Sequence, residues 1–373
     1  MSRRDRRPEA LVLDAGVLRE GPVCEFGSEL AVEACGGVVV TPWRDRYRSA
    51  EIGELTVAAD ATALSDGSFP QAIVHLQKSR AATFGDLAQA WRLLAPGGQL
   101  LLCGTNRLGV SSAVKRLADQ LEQSPIVVSN RARARVVRFK RDGGRGPSSE
   151  TTPSFEAALK SLDGATRTLS IDTAPGVFSA KKLDAGSALL LDALAGFVGY
   201  KPPKRILDLG CGTGVLGLSA ATLYPDATGL LVDADARAVA CAEKNAQTLG
   251  LGSRCRTAWW DAREAPLEGR FDLALVNPPF HQHGPEVDLG PALALFDSLA
   301  GWLGRNGRAL IVANRSLPYE EPLEAFGKVE RVSAAAGYKL LSVKRSARSS
   351  GASGRRSPGG RSPGRSRAPT RSR

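Results

Sequence analysis

The amino-acid sequence predicts an α/β protein with two doubly wound, Rossmann-like domains in tandem and a disordered basic tail at its carboxyl end. The 373 residues are too many for one typical domain and suit two. In both halves, short apolar runs alternate with helical patterns, as in parallel sheets covered by helices. Similar segments also recur in the two halves, which favours duplication of one ancestral domain.

The clearest recurrent segment consists of a glycine turn, a buried strand and an Asn-Arg pair. It spans residues 94–107 in the first half and residues 303–315 in the second, with one residue fewer. Residues 11–16 also resemble residues 206–210, because both runs contain an aspartate two residues before a glycine. We interpret these matches as duplication, and chance similarity between two α/β domains is the alternative.

These patterns divide the chain into four parts. Residues 1–141 form the first predicted domain, and residues 142–150, rich in Gly, Pro and Ser, form a linker. Residues 151–346 form the second predicted domain. Residues 347–373 form the tail.

The tail repeats Arg-Ser-Pro and Gly-Arg units and contains no aliphatic residue larger than alanine. Such a segment cannot bury enough surface to offset the entropy cost of ordering, so we expect disorder. It holds eight arginines and no acid, so most of the net charge of +12 lies there. An electrostatic tether for a polyanion such as RNA and a solvated tail without a specific role are both open interpretations.

The composition excludes several classes of protein. No run of 18 apolar residues occurs, so we expect no membrane span, and the charged amino terminus does not resemble a secretory signal. The six cysteines are scattered and only three histidines are present, which argues against a disulfide framework or a metal site. Reduced thiols suit a cytoplasmic protein.

The second domain contains a glycine-rich turn between an apolar strand and a helical pattern, in the sequence Asp208-Leu-Gly210-Cys211-Gly212-Thr-Gly214. This order of elements is typical of a nucleotide-type ligand site. The G-x-G-x-G spacing and the internal Asp208 favour S-adenosylmethionine (SAM), because an acid there attracts the cationic amino group of methionine and repels a pyrophosphate. Cys211 is interpreted as a small turn residue.

Two further acids follow later strands of the same domain. Asp233 ends a strand about 20 residues beyond the turn, where a carboxylate can accept hydrogen bonds from both ribose hydroxyls. Asp261 follows Trp259-Trp260 and is placed to accept from the adenine amino group. A helix N-cap is the alternative for Asp233, and a turn residue is the alternative for Asp261.

The candidate catalytic motif is Asn277-Pro278-Pro279-Phe280, which ends an apolar strand about 65 residues beyond the glycine turn. The Asn277 side-chain oxygen and the Pro278 carbonyl can accept both hydrogens of a planar amino group and direct its lone pair at a methyl donor. Phe280 offers a face for base stacking, worth about 1–3 kcal/mol per base. Most of the rate would come from positioning, and a simple strand terminator is the alternative.

The first domain lacks these motifs. At the place of the Asn277 motif it offers His75-Leu-Gln-Lys78. We therefore expect it to bind no cofactor and to act in recognition or as a scaffold.

Together, five segments of the second domain resemble the bacterial ribosomal RNA guanine-N2 methyltransferases over about residues 173–345. The segments are Pro175-Gly-Val-Phe-Ser179, Leu183-Asp-Ala-Gly-Ser187, the glycine turn, Asn277-Pro-Pro-Phe-His281 and Ile311-Val-Ala-Asn-Arg-Ser-Leu-Pro-Tyr319. This family also carries a degenerate amino-terminal methyltransferase-like domain, similar to the first half.

The resemblance implies methyl transfer from SAM to guanine N2 in ribosomal RNA, with no metal. It also implies that Phe178 and Ser179 lie over the cofactor. His281-Gln282 and Ala313-Asn-Arg315 look like the large-subunit branch, whereas Leu317-Pro-Tyr319 looks like the small-subunit branch. On balance we expect a large-subunit enzyme.

The leading hypothesis is therefore a ribosomal RNA guanine-N2 methyltransferase that acts on RNA or a ribosomal subunit, with a monomer favoured. One alternative is methyl transfer to another planar amino group, in protein glutamine or at adenine N6. The other is a non-catalytic RNA-binding or ribosome assembly factor, which the intact Asp208 and Asn277 oppose.

Overall fold

The computed structural model of the chain describes residues 8–149, 154–161, 164–179, 182–197, 201–279, 281–283 and 286–345. The predicted tail and Phe280 lie outside these residues. The described part of the chain contains two seven-stranded sheets, and two short hairpins accompany the second.

The first domain follows the α/β alternation that its sequence predicts. Its elements begin with a 3-10 turn (Pro8–Ala10) and continue with α1 (Leu11–Asp14), β1 (Val23–Phe26), α2 (Leu30–Cys35), β2 (Gly37–Val40), α3 (Arg44–Ile52), β3 (Val57–Ala58), β4 (Phe69–His75), α4 (Arg80–Leu93), β5 (Leu94–Thr105), a second 3-10 turn (Asn106–Leu108), α5 (Val110–Leu121), β6 (Ile126–Arg131) and β7 (Ala134–Lys140).

The second domain begins with a hairpin and then repeats the same alternation. Its elements are β8 (Phe155–Lys160), β9 (Thr166–Ile171), α6 (Ala185–Phe197), β10 (Arg205–Leu209), α7 (Val215–Leu223), β11 (Thr228–Asp233), α8 (Ala236–Thr248), β12 (Cys255–Trp259), β13 (Phe271–Val276), β14 (His281–His283), β15 (Glu286–Asp288), α9 (Gly290–Trp302), β16 (Leu303–Asn314), α10 (Glu320–Glu324), β17 (Gly327–Ala335) and β18 (Tyr338–Arg345).

The two large sheets have the same topology. The first has the order β3-β2-β1-β4-β5-β7-β6, and the second has the order β12-β11-β10-β13-β16-β18-β17. In each, the first five strands are parallel, the sixth in spatial order (β7 or β18) runs antiparallel to them, and the edge strand (β6 or β17) pairs antiparallel with the sixth. The predicted fold class, two Rossmann-like domains in tandem, is confirmed.

The central strands of the second sheet are almost wholly apolar and buried. In β10 and β13, nearly every residue is inaccessible to solvent, because helices cover both faces of a parallel sheet. The helix α7 is buried along most of its length because it follows the glycine turn directly back across the sheet. The turn between β10 and α7 is thus fixed by two buried elements.

The match between residues 11–16 and residues 206–210 is wrong. Residues 11–14 form the helix α1, whose Leu11 and Val12 pack beside the sheet, and the counterpart of β10 is β1. A short apolar run does not by itself distinguish a helix from a strand. The preceding helical turn of Pro8–Ala10 carries the chain into a helix here.

The correct pairing of the domains matches Glu25 with Asp208 and His75 with Asn277. Phe26 pairs with Val74 in the first sheet, just as Leu209 pairs with Val276 in the second. Glu25 directly precedes Phe26, as Asp208 precedes Leu209. His75 directly follows Val74, as Asn277 follows Val276. The expected match of His75 with Asn277 therefore agrees with the strand registers.

In the first domain these matched positions hold a buried ion pair. Glu25 Oε1 lies 2.8 Å from His75 Nε2, and Glu25 Oε2 accepts hydrogen bonds from the backbone of Ala31 and Val32 at the start of α2. Burial alone lowers the pKa of His75, but hydrogen bonds to Cys103 and Glu25 raise it to about 10. The carboxylate thus has protein partners on both oxygens.

The predicted linker runs back over the first domain. Pro147 is buried, and a side chain at Gly146 would collide with the Trp91 ring, at 2.5 Å from its Cδ1 atom. The domain boundaries remain predictions.

We predict that Glu25→Gln lowers the free energy of unfolding of the first domain by about 3 kcal/mol at neutral pH, because His75 loses its buried anion. The folded-state pKa of His75 lies above its unfolded value of 6.5, so the pair stabilises fully below that value and loses its effect as the pH rises through about 10. Urea unfolding of both proteins at neutral pH and above pH 10 measures this, and an equal difference at both would contradict it.

Candidate functional site

The candidate site lies where three neighbouring strands of the second sheet end. Strand β10 lies between β11 and β13, and all three are parallel. Their carboxyl ends therefore bring Asp208, Asp233 and Asn277 to one edge, where open α/β sheets bind ligands. The glycine turn after β10 occupies the middle of that edge.

Asp208 presents an unsatisfied oxygen at this edge. Its Oδ2 accepts a hydrogen bond of 2.7 Å from the Gly217 backbone at the start of α7, while Oδ1 is buried without a partner in the described structure. Burial raises the pKa of Asp208 to about 7. A buried acceptor without a partner is costly, so this atom suits a cationic or hydrogen-bonding ligand.

The three glycines of the turn all have positive φ angles, between 55° and 81°. Side chains at Gly210 and Gly212 would meet nothing within 4 Å, whereas one at Gly214 would lie 2.9 Å from Leu231. Gly214 is thus required by packing, whereas Gly210 and Gly212 leave open space beside the backbone. Cys211 is buried and burial raises its pKa well above its usual value, which argues against a nucleophile.

Asp233 closes the turn from the neighbouring strand. Its Oδ2 accepts from the Gly212 backbone at 2.9 Å and its Oδ1 accepts from the Asp235 backbone at 2.9 Å. Burial raises the pKa of Asp233 to about 6. The N-cap of α8 is Asp235 and not Asp233, so the alternative role of Asp233 as a helix cap is wrong.

Asp261 is engaged by a neighbouring arginine. Arg263 donates to Oδ1 at 2.7 Å and to Oδ2 at 2.8 Å, and the Arg263 backbone also donates to Oδ1. Although burial opposes it, these contacts lower the pKa of Asp261. Asp261 thus does form a local turn, and a role toward adenine stays a prediction.

Asn277 is held through its amide nitrogen. Nδ2 donates to the Asp184 carboxylate, at 3.3 Å from both oxygens, and to Ser187 Oγ at 3.0 Å. Among the described residues no group donates to Asn277 Oδ1. Pro278 is buried next to it. Asp184 was not among the site residues predicted from the sequence, although an Asp before a helical run is a recognisable N-cap signal.

The segment of Phe178 and Ser179 lies against α8. Val177 is buried with Ala238 and Cys241, whereas 68% of Phe178 is exposed. Ser179 has a φ of 59° and donates from Oγ to the Lys182 carbonyl at 2.5 Å. The structure thus anchors this segment against α8 and leaves the Phe178 ring exposed.

The first domain contacts the same edge. The Pro42 carbonyl, just after β2, accepts from the Ala236 backbone at 2.8 Å and from Trp259 Nε1 at 3.1 Å. Arg44 pairs with Glu264 at 2.8 Å.

A second ion pair joins the two domains, because Asp45 pairs with Arg263 at 3.0 Å. Arg263 thereby links helix α3 of the first domain to Asp261.

Within the described residues, no three histidine, cysteine or acidic side chains are grouped so as to hold a metal ion. None of the helices that the structure describes is long and apolar enough to cross a membrane.

Two family descriptions match the chain. "Methyltransferase small domain" matches residues 168–342, and "Methyltransferase small domain N-terminal" matches residues 33–133.

Curated relatives match along most of their length. The Ribosomal RNA small subunit methyltransferase C of Shewanella halifaxensis is 32% identical over 74% of this chain and 78% of its own length. The corresponding protein of Pseudomonas entomophila is 32% identical over 74% of this chain and 80% of its own length. The chain belongs to the family of ribosomal RNA small subunit methyltransferase C.

A solved structure agrees with this assignment. It is described as the T. thermophilus 16S rRNA N2 G1207 methyltransferase in complex with AdoMet and guanosine, and it has a TM-score of 0.78 with 26% identity over 92% of both chains. The expected resemblance to ribosomal RNA guanine-N2 methyltransferases is confirmed. The preference for the large-subunit branch is wrong, because these relatives carry the small-subunit name.

We predict that Gly214→Ala is more destabilising than Gly212→Ala. Both substitutions force a side chain into a left-handed conformation, at about 1–2 kcal/mol, but only Gly214 adds collisions with Leu231 and Ala242, at about 1–3 kcal/mol. Gly250→Ala is the matched control, since Gly250 has a φ of 71° and open space around it. In thermal unfolding, the midpoint of Gly212→Ala should fall by about as much as that of Gly250→Ala. An equal fall for Gly212→Ala and Gly214→Ala would argue against the packing explanation.

Proposed function

We propose that the protein transfers a methyl group from SAM to the exocyclic N2 amino group of a guanine in small-subunit ribosomal RNA. The observation that carries this proposal is the placement, at one sheet edge, of the unpartnered Asp208 Oδ1 and of an Asn277 held through its amide nitrogen. The family relationship supports it, as does the T. thermophilus enzyme, whose structure contains AdoMet and guanosine.

The residues of the edge fit SAM. The free Oδ1 of Asp208 suits the methionine ammonium, and the space beside Gly210 and Gly212 suits a ligand that approaches the backbone closely. Cys211 and Gly214 complete the turn that shapes this space.

The remaining candidate residues extend along the same edge. Asp233 would accept from the ribose hydroxyls and Asp261 from the adenine amino group. Phe178 and Ser179 would lie over the cofactor, in keeping with an exposed ring on a segment anchored to α8.

The chemistry depends on positioning. Bound SAM supplies an electrophilic methyl group on a sulfonium. Asn277 Oδ1 and the Pro278 carbonyl would accept the two hydrogens of the guanine amino group and turn its nitrogen lone pair toward that methyl group. Phe280 would stack on the base. Neither Asn277 nor Pro278 acts as a strong base in this arrangement.

The partner is ribosomal RNA, either free or within a ribosomal subunit, and the setting is cytoplasmic with a monomeric enzyme. We assign recognition to the first domain, on the basis of four exposed cations. Lys78 and Arg80 follow β4, Arg107 follows β5, and Arg133 lies in the turn before β7. The Asn106 backbone donates to the Arg133 carbonyl at 2.8 Å, which joins the last two positions. Within the described structure, none of the four forms an ion pair.

We predict that Arg107→Ala with Arg133→Ala weakens binding to a ribosomal RNA fragment and reduces the slope of log affinity against log salt by about 1.4. The matched control is Lys140→Ala with Arg145→Ala, which removes the same charge from exposed positions at and after the carboxyl end of β7, where Lys140 pairs with Gln99. Fluorescence anisotropy at several salt concentrations measures both. Equal losses in the two variants would show that only net charge matters and would refute a specific surface.

We predict that Asn277→Ala lowers kcat by about 100-fold or more, while the affinity for SAM changes little, because an acceptor used mainly in the transition state is lost. Labelled SAM is incubated with undermethylated small-subunit RNA and with the assembled subunit. Nucleoside digestion should yield N2-methylguanosine.

The same digestion distinguishes the alternatives. Methyladenine, or label in protein glutamine, would replace the guanine assignment with another planar amino group. RNA binding without SAM binding in calorimetry would instead favour a non-catalytic assembly factor.

A further inference from the structure

We propose that Asp184 is a positioning residue that fixes the side-chain amide of Asn277 so that its oxygen faces the substrate. The inference rests on the proposed function for its consequence, but its geometry stands by itself. Among the described residues, the hydrogen bonds of the Asp184 side chain reach Asn277 and the start of α6, and none reaches the glycine turn or the expected cofactor residues.

The Asp184 carboxylate is itself held rigidly. Its Oδ1 accepts from the Gly186 backbone at 2.9 Å and from the Ser187 backbone at 3.1 Å. These are the bonds by which an Asp caps a helix, here α6. Both carboxylate oxygens also lie 3.3 Å from Asn277 Nδ2. One side chain thus ties the first turn of α6 to the end of β13.

The carboxylate determines which end of the amide points inward. The oxygen and nitrogen of an Asn side chain have nearly the same shape, so packing alone does not select one orientation. A carboxylate only accepts hydrogen bonds. In the reversed orientation Oδ1 would lie about 3.3 Å from both Asp184 oxygens, which is repulsive and forfeits two hydrogen bonds.

Ser187 reinforces this arrangement but does not determine it. Its Oγ accepts from Asn277 Nδ2 at 3.0 Å, yet a hydroxyl can equally donate. With Ser187 alone, both orientations of the amide would find a partner. The choice between the two orientations of the Asn277 amide therefore depends on Asp184, whose carboxylate can only accept hydrogen bonds.

The orientation matters because the substrate amino group needs acceptors. A reversed Asn277 would present its own NH2 group to the amino group of the base. Two hydrogen-bond donors would then face each other. The amino group of the base would lose the acceptor that orients its nitrogen lone pair toward the methyl group. The acceptor character of Asn277 thus depends on a residue 93 positions earlier in the chain.

Asp184→Asn tests this directly, because Asn also caps helices well but can donate to Asn277 Oδ1. We expect kcat to fall about 10- to 100-fold, with KM for RNA and the calorimetric Kd for SAM within about twofold of the wild type. The thermal midpoint should stay within about 2 °C. Asp272→Asn is the control, since Asp272 also accepts two backbone N–H bonds, from Lys204 and Arg205, at the opposite edge of the same sheet.

An unchanged kcat in Asp184→Asn would overturn the proposal. Parallel losses of stability, SAM binding and kcat would do so as well, because they indicate a structural role only.

A second measurement does not depend on the reaction. The side-chain NH2 resonances of Asn277, assigned by their loss in Asn277→Asp, should exchange slowly in the wild type and fast in Asp184→Ala. Fast exchange in the wild type would refute the fixed amide. If the digestion shows no guanine product while slow exchange persists, the proposed function fails and the positioning role stands.

Discussion

The parallel pairing of β10 with β11 on one side and β13 on the other is the constraint on which the candidate site depends. It brings three strand ends together and so places Asp208, Asp233 and Asn277 at one edge. A shift of one residue in either register would turn one of these side chains to the other face of the sheet. The largely apolar and buried strands hold that register, so the hydrophobic core and the polar edge depend on the same hydrogen-bond ladders.

The two domains show what the same topology does with different residues at its edge. In the second domain the buried acid near the end of the central strand has one oxygen without a partner among the described residues, and glycines leave space beside it. In the first domain Glu25 takes the matched position, but His75 and the start of α2 occupy both of its oxygens. The two sheets share a topology, but the matched position carries an open acceptor in one domain and an internal ion pair in the other.

Much of this arrangement follows from local sequence. The glycine turn and the Asn277 motif each lie within a few residues of a strand end, so their place at the sheet edge was predictable. Residues 11–16 were misread because a short apolar run fits a helix as well as a strand. Asp184 and Arg263 act through partners distant in sequence or in the other domain, Asn277 and Asp45 respectively, and only the folded chain brings these groups together.

The contact of Arg263 with both Asp45 and Asp261 has a thermodynamic consequence for the whole chain. Any ligand that forms a hydrogen bond with Asp261 would compete with Arg263 for this carboxylate. It would thereby alter the ion pair between Arg263 and Asp45 of the first domain. By reciprocity, the free energy by which domain docking alters ligand affinity equals that by which the ligand alters docking. Because the first domain is covalently attached to the second, it is present at this contact at a fixed effective concentration.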